Sequence, residues 1–262
     1  MVTVSDILTF IETLAPRSMK MDWDNVGLNV GRLNKEVKTV LVALDPFAHV
    51  CQEAKEIGAD LLVTHHVLIF RPGFVTDATV QGRNTLFLIE NGIAHINAHT
   101  NLDLAPTGVN DVLAKTLGLS NIQIIEPMGV DDLGRDWGLL RSGNVEKQTL
   151  NDFLAVVKEK LGCRGLRYCD AGRTVQKVAV GGGSCCDEMQ QAIDAGCDTL
   201  VTGDAKYNDF WDAHDLGLNL IDAGHFYTEN PVVSYLAQQI SAQFPEINVK
   251  ISETHSDCMK FY

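Results

Sequence analysis

Apolar residues near the start of the chain recur at helical spacing. Val4, Ile7, Leu8, Ile11 and Leu14 form one stripe, with Ser5 as the expected N-cap and Pro16 as the stop. The period then shortens. Residues 38–44 alternate as a strand, 48–57 read as a helix closed by Gly58, and Leu61-Leu62-Val63-Thr64 is a buried strand ending abruptly in His65 and His66. Further on, Thr149 is placed to cap a helix whose Leu150, Phe153, Leu154, Val157 and Leu161 share a face. A last strand is expected over 248–251. Trp23-Asp24-Asn25-Val26-Gly27 reads as a loop, on its own a turn with a packed Trp.

The β-α-β pattern occurs twice. Shifted by 138 positions (175 − 37), Val37, Val40, Val42, Gln52, Ala54, Gly58, Asp60, Leu62, Val63 and Thr64 meet identical residues from Val175 to Thr202 without a gap. Matches at strand, helix and turn positions together point to a duplicated α/β domain rather than a solenoid repeat. Residues 92–99 then correspond to 217–224, each a strand leading to a polar loop: His99-Thr100-Asn101-Leu102-Asp103 in one copy, His225-Phe226-Tyr227-Thr228-Glu229 in the other. Two similar domains, each three-layered with a mixed sheet, are therefore expected at 1–127 and 128–262. The Gly- and Asp-rich stretch 126–140 is the boundary, and the C-terminal strand is free to pack back on the first domain.

Composition narrows the class. The 262 residues are 45% hydrophobic and 21% charged, with no run long enough for a membrane span and no signal-peptide layout, so a cytoplasmic location is expected. A net charge of −13 makes nucleic acid an unfavoured partner, although bound cations would still admit a small anionic substrate. Seven cysteines without Cys-x-x-Cys spacing read as buried or half-buried thiols. Gly181-Gly182-Gly183-Ser184 fits either an anion-binding nest or a tight turn with a capping serine, and the second reading has more weight because no Lys-Ser or Lys-Thr follows.

Strand ends in open α/β sheets are where ligands bind, and these carry His65, His66, Asp103, His225 and Glu229. Adjacent residues of a strand point to opposite sides, so His65 and His66 are expected to reach two ions rather than grip one. Imidazoles with carboxylates and no thiolate suit divalent Zn, Fe, Mn, Co or Ni. Two such ions, about 3.5–4 Å apart, acidify water and clamp a developing oxyanion, which is hydrolytic chemistry. His99 is read either as a supporting or weak ligand or as an ordinary loop histidine. Thr228 is expected to cap a helix begun by Glu229, and His49, His95, His214 and His255 are assigned to surface or satisfied core positions.

Trp23-Asp24-Asn25-x-Gly27, Thr64-His65-His66, His99 to Asp103, Thr202-Gly203-Asp204 and Gly224-His225-x-x-Thr228-Glu229, in this order, resemble the dinuclear-metal-centre family known as GTP cyclohydrolase I type 2 homologues or Nif-three-like proteins. The resemblance spans nearly the whole chain. It implies two divalent ions per chain held by His65, His66, Asp103, His225 and Glu229, a toroidal homohexamer built as a trimer of dimers, and a short form without the insert that many members carry between the halves. Asn208, where relatives commonly have histidine, and Ser256-Asp257-Cys258-Met259, where Asp-Pro-Phe is common, depart from the pattern. The expected function is a metal-dependent hydrolase of a small nucleotide- or pterin-like substrate, with Glu229 and His99 taking part in the chemistry. No dedicated purine-reading loop is recognisable. The alternative is a non-catalytic metal-binding or assembly protein.

Overall fold

A computed structural model describes residues 1–71 and 73–262. The chain begins with α1 (Val4–Leu14), β1 (Gly27–Val30), β2 (Thr39–Ala43), α2 (Ala48–Glu56), β3 (Leu61–Thr64), α3 (Val80–Glu90), β4 (Ala94–Asn97) and α4 (Thr100–Leu104). It continues through α5 (Val109–Thr116), β5 (Ser120–Ile124), β6 (Gly129–Val130), β7 (Asp136–Trp137), β8 (Arg141–Gln148), α6 (Leu150–Leu161) and β9 (Arg167–Cys169). Then come β10 (Val175–Val180), α7 (Met189–Asp194), β11 (Thr199–Thr202), α8 (Tyr207–Leu216), β12 (Asn219–Asp222), α9 (His225–Glu229), α10 (Pro231–Gln243) and β13 (Asn248–Ile251).

Two compact units result, one of residues 1–105 with 232–256, the other of 106–231 with 257–262. The division thus falls at Ala105, ahead of the stretch around 127 where the composition changes. That stretch is not simply a loop, because β6 and β7 pair there as a small antiparallel hairpin. In the first unit the sheet order is β1-β4-β3-β2-β13, parallel except for β1. The second unit has the order β5-β8-β10-β11-β12-β9, with β10, β11 and β12 parallel and the outer strands antiparallel. Among the described residues no helix is long and apolar enough to cross a membrane.

Strand alternation explains the layers. In the second unit Val178, Val180, Val201 and Ile221 face Leu113 of α5 and Phe153 and Val157 of α6. Ala179, Leu200 and Leu220 point the other way, toward Met189 and Ala192 of α7 and Ala213 of α8. A strand covered on both faces needs an apolar run, and Leu61–Thr64 and Thr199–Thr202 are buried throughout. The repeated Asp has the same task in each unit. Asp60 accepts the N–H groups of Lys38 and Thr39, and Asp198 those of Gln176 and Lys177, so each carboxylate ties the start of one strand to the start of its parallel neighbour.

The first helix is capped differently from expectation. Thr3, not Ser5, accepts the Asp6 N–H, while the Asp6 carboxylate accepts the Thr3 N–H at 2.8 Å. Asp6 lies at the third helical position counted from Thr3, which makes the reciprocal pair available only there. Five cysteines are buried and Cys169 is half-buried, as the sequence suggested, but Cys258 is exposed.

Beyond β13 the chain is strapped to α2 by one carboxylate. Glu53 accepts hydrogen bonds from the Ser252 hydroxyl, the Thr254 hydroxyl at 2.6 Å and the Glu253 N–H at 2.8 Å. Burial alone would raise its pKa, but the donors from Ser252 and Thr254 outweigh burial and hold it below the ordinary value of 4.5. A depressed carboxyl stabilises the fold above its unfolded pKa and loses that contribution as pH falls through the folded value. Urea melts should show wild type more stable than Glu53→Gln by about 1.5–3 kcal/mol at neutral pH. The gap should close in acid below 4.5; one that stays constant would contradict this account.

Candidate metal centre

In the first unit β3 stops at Thr64, and His65 and His66 lie in the bend that follows. Freed from strand geometry, their rings do not diverge to opposite sides as expected. They sit side by side, centroids 4.9 Å apart. The bend is pinned from behind: the Thr64 hydroxyl donates to the His66 carbonyl at 2.6 Å and accepts from His95 Nε2 at 2.8 Å. His95 is fully buried, and burial pushes its pKa down to about 3, so it remains a neutral structural donor.

Each imidazole of this centre has its outer nitrogen committed. His65 Nδ1 donates to the Ala98 carbonyl at 2.8 Å, His66 Nδ1 to Asp45 at 2.6 Å and His99 Nδ1 to Asp24 at 3.0 Å. A carbonyl or an ionised carboxylate can only accept, so a proton sits on Nδ1 in all three rings, and in the neutral form of each the lone pair is on Nε2. Ring nitrogens of His65, His66 and His99 lie within 4.8 Å of one another, close enough to share an ion. Asp103, in the first turn of α4, brings Oδ1 to 3.5 Å from His65 Nε2. Asn101 of the same motif donates to the Ala15 carbonyl at the end of α1, which fixes α4 in place.

Both supporting carboxylates are ionised. Burial would raise Asp24, but hydrogen bonds from His99 and Thr100 outweigh it and pull its pKa down to about 2. Burial of Asp45 is likewise outweighed, by hydrogen bonds from His255 and His66, and its pKa lies well below the usual carboxylate range. Of the surface and satisfied-core alternatives, the second describes His255: its side chain is sheltered, its Nε2 is 2.9 Å from Asp45, and its Nδ1 is 3.2 Å from His49 Nε2. Trp23 also departs from expectation. It is 60% exposed rather than packed, lies nearly parallel to the half-exposed Phe70, and both rings stand edge-on to His99 at 6.0 and 5.7 Å.

In the second unit His225 and Glu229 lie one turn apart on α9, Nε2 to Oε2 being 3.0 Å. His225 Nδ1 is held by Asp204 at 2.7 Å, and Asp204 adopts the left-handed backbone (φ +53°) that Asp tolerates. Asp222 ties the two loops together, accepting from the N–H groups of Ala205 and Gly224 and from Arg167. Thr228 does not cap a helix begun by Glu229. It lies inside α9, and its hydroxyl accepts the Gly183 N–H. The N–H groups of Gly182, Gly183 and Cys185 go to Asn110, Thr228 and Thr202, so the glycine loop is no anion nest. Its glycines serve close approach, since a Cβ on Gly183 would fall on the Glu229 carboxylate.

Asp45, Asp24, Asp204 and Asp222 were not singled out as supports. Asp24 and Asp204 stand in the motifs quoted above, but only tertiary contact shows which ring each one holds. Asn208, flagged as a departure, lies on α8, and no role for it follows from the structure.

Residues 2–258 match the family model Duf34/NIF3 (NGG1p interacting factor 3), and the chain belongs to that family. It is 36% identical to a GTP cyclohydrolase 1 type 2 homolog of Clostridium perfringens, covering 98% of this chain and 99% of that one. A Lactococcus lactis protein of the same name is 32% identical over 99% of this chain and 98% of its own length. The fold is similar to the crystal structure of a Bacillus cereus protein related to NIF3, with TM-score 0.93, 26% identity and coverage of 100% of this chain and 99% of that one.

Gly183 (φ +68°) has little tolerance for a side chain, both in backbone conformation and in space beside Glu229. Gly183→Ala should cost about 1–3 kcal/mol in urea unfolding. A variant as stable as wild type would show that α9 has room to retreat.

Proposed function

We propose that His65, His66 and Asp103 of the first unit and His225 and Glu229 of the second pool to hold two divalent metal ions, and that the protein is a hydrolase of a small nucleotide- or pterin-like substrate. The observation that carries this reading is the trio of imidazoles at 65, 66 and 99, each with Nδ1 held by an acceptor and all three with a ring nitrogen within 4.8 Å of the others. Imidazoles with sheltered carboxylates and no thiolate fit a first-row divalent ion with exchangeable positions. Such ions, when bound, supply Lewis-acid activation of water and stabilisation of a developing oxyanion. The chain's own part is orientation. Glu229, only 4% exposed, holds a carboxylate where water is scarce, and His99, fixed by Asp24, offers Nε2 to the substrate.

A planar substrate is supported by Trp23 and Phe70. Two nearly parallel rings, 21° apart, with open area beside His99 form a ledge on which a heterocycle can stack, worth about 1–3 kcal/mol per base. Family membership supports the further proposals of a homohexamer, built as a trimer of dimers, and a cytoplasmic location.

Elemental analysis of gently purified protein should give close to two first-row ions per chain, with fewer in His65→Ala. Glu229→Ala and His66→Ala should stay folded and lose metal-dependent turnover; full activity in either would sink the hydrolase reading. Retained metal without turnover of any nucleotide or phosphate ester would favour the assembly role instead. With a purine nucleotide as substrate, Trp23→Leu should raise KM roughly tenfold while sparing kcat, as expected for loss of stacking alone. An unchanged KM would remove the ledge from the account.

A further inference from the structure

We propose that His255 is a positioning residue for the metal centre, acting through Asp45 to fix the ring of His66, so that the strap after β13 governs how firmly an ion is held. The proposal rests on the reading of His66 as a ligand.

The argument starts with the freedom of a carboxylate. Asp45 follows β2 by two residues, and its Oδ1 accepts from His66 Nδ1 at 2.6 Å. Held by that bond alone, the carboxylate could rotate about its two side-chain torsions and carry the imidazole with it. Its other oxygen, Oδ2, accepts from His255 Nε2 at 2.9 Å, so the carboxylate is gripped at both ends. The side chains of His255 and Asp45 are only 5% and 13% exposed, which leaves water little access to replace either donor.

His255 is itself held on three sides. Its N–H donates to the Ser252 hydroxyl at 3.2 Å, and that hydroxyl donates in turn to Glu53. Phe47 packs edge-on against its ring with centroids 5.8 Å apart. The remaining nitrogen, Nδ1, lies 3.2 Å from His49 Nε2. Directions are consistent along the whole row. A carboxylate lying between two ring nitrogens accepts from both, so His255 donates from Nε2 and accepts at Nδ1, which makes His49 the donor there. The row fixes one tautomer at each ring, and at His66 that tautomer leaves Nε2 as the coordinating atom. The group bonded directly to a ligating imidazole, here Asp45, typically changes metal affinity about 10- to 100-fold when removed, and His255 is what holds that group.

The test uses cobalt(II)-loaded protein, following its visible spectrum and its release into excess chelator. His255→Ala should release cobalt roughly tenfold faster than wild type and shift the visible bands. His255→Gln, whose amide nitrogen stands where Nε2 stood, should recover most of the slow release, with metal-free melting temperatures equal in the two variants. The proposal is overturned if His255→Ala matches wild type in release and spectrum. It is also overturned if His255→Gln is as fast as His255→Ala, since the strap would then act by packing alone. His66→Ala separates the two levels. If it loses cobalt while His255→Ala behaves as wild type, only the positioning role fails; if it keeps wild-type cobalt, the ligand reading fails and the proposal with it.

Discussion

An imidazole presents a lone pair at one nitrogen only when its proton is held at the other, and in this protein that choice is made by groups that cannot donate. Ala98 provides a carbonyl, and Asp24, Asp45 and Asp204 provide carboxylates, each within 3.0 Å of an Nδ1. Burial works against Asp24 and Asp45 by favouring their neutral form. At Asp24 and Asp45 the hydrogen bonds win, and the depressed pKa values record the outcome. In the first unit the histidine cluster is thus arranged around two anions, Asp24 and Asp45, whose solvation is largely replaced by donors from the chain, with the histidines counted among those donors.

The scaffold supplies the placements this requires. In each unit the parallel strands end at one edge of the sheet, and the loops leaving that edge carry the candidate ligands. Asp60 and Asp198 tie strand starts together in their respective units, and His95 with Thr64 pins the bend that carries His65 and His66. Gly183 yields its side chain so that Glu229 can approach the backbone closely. None of these residues could be replaced by a merely apolar one of similar size without leaving a donor or an acceptor stranded, or a carboxylate displaced.

Much of this was legible in the sequence because it depends on local periodicity. The β-α-β units, their terminating glycines and the strand ends carrying His65, His66, Asp103, His225 and Glu229 all follow from spacing and residue type. What stayed hidden depends on contacts between distant segments. Asp45 and His255 are 210 positions apart and belong to no shared motif. The Trp23 ring could not be told from a packed one, since a loop tryptophan reads the same whether its face is covered or open. The direction of His65 and His66 was misjudged because strand alternation was carried two residues past the point where the strand stops.

The route of the chain has a consequence for how the protein comes into being. The first unit is written in two instalments, residues 1–105 and then 232–256, with the second unit between them. During synthesis the N-terminal instalment must wait with the outer edge of β2 uncovered, because β13, its parallel neighbour, is still to be translated. An open strand edge invites pairing with foreign strands. A nascent or truncated chain lacking residues 248–251 accordingly presents that edge unpaired. Completion of the first sheet reports that the ribosome has passed through everything between.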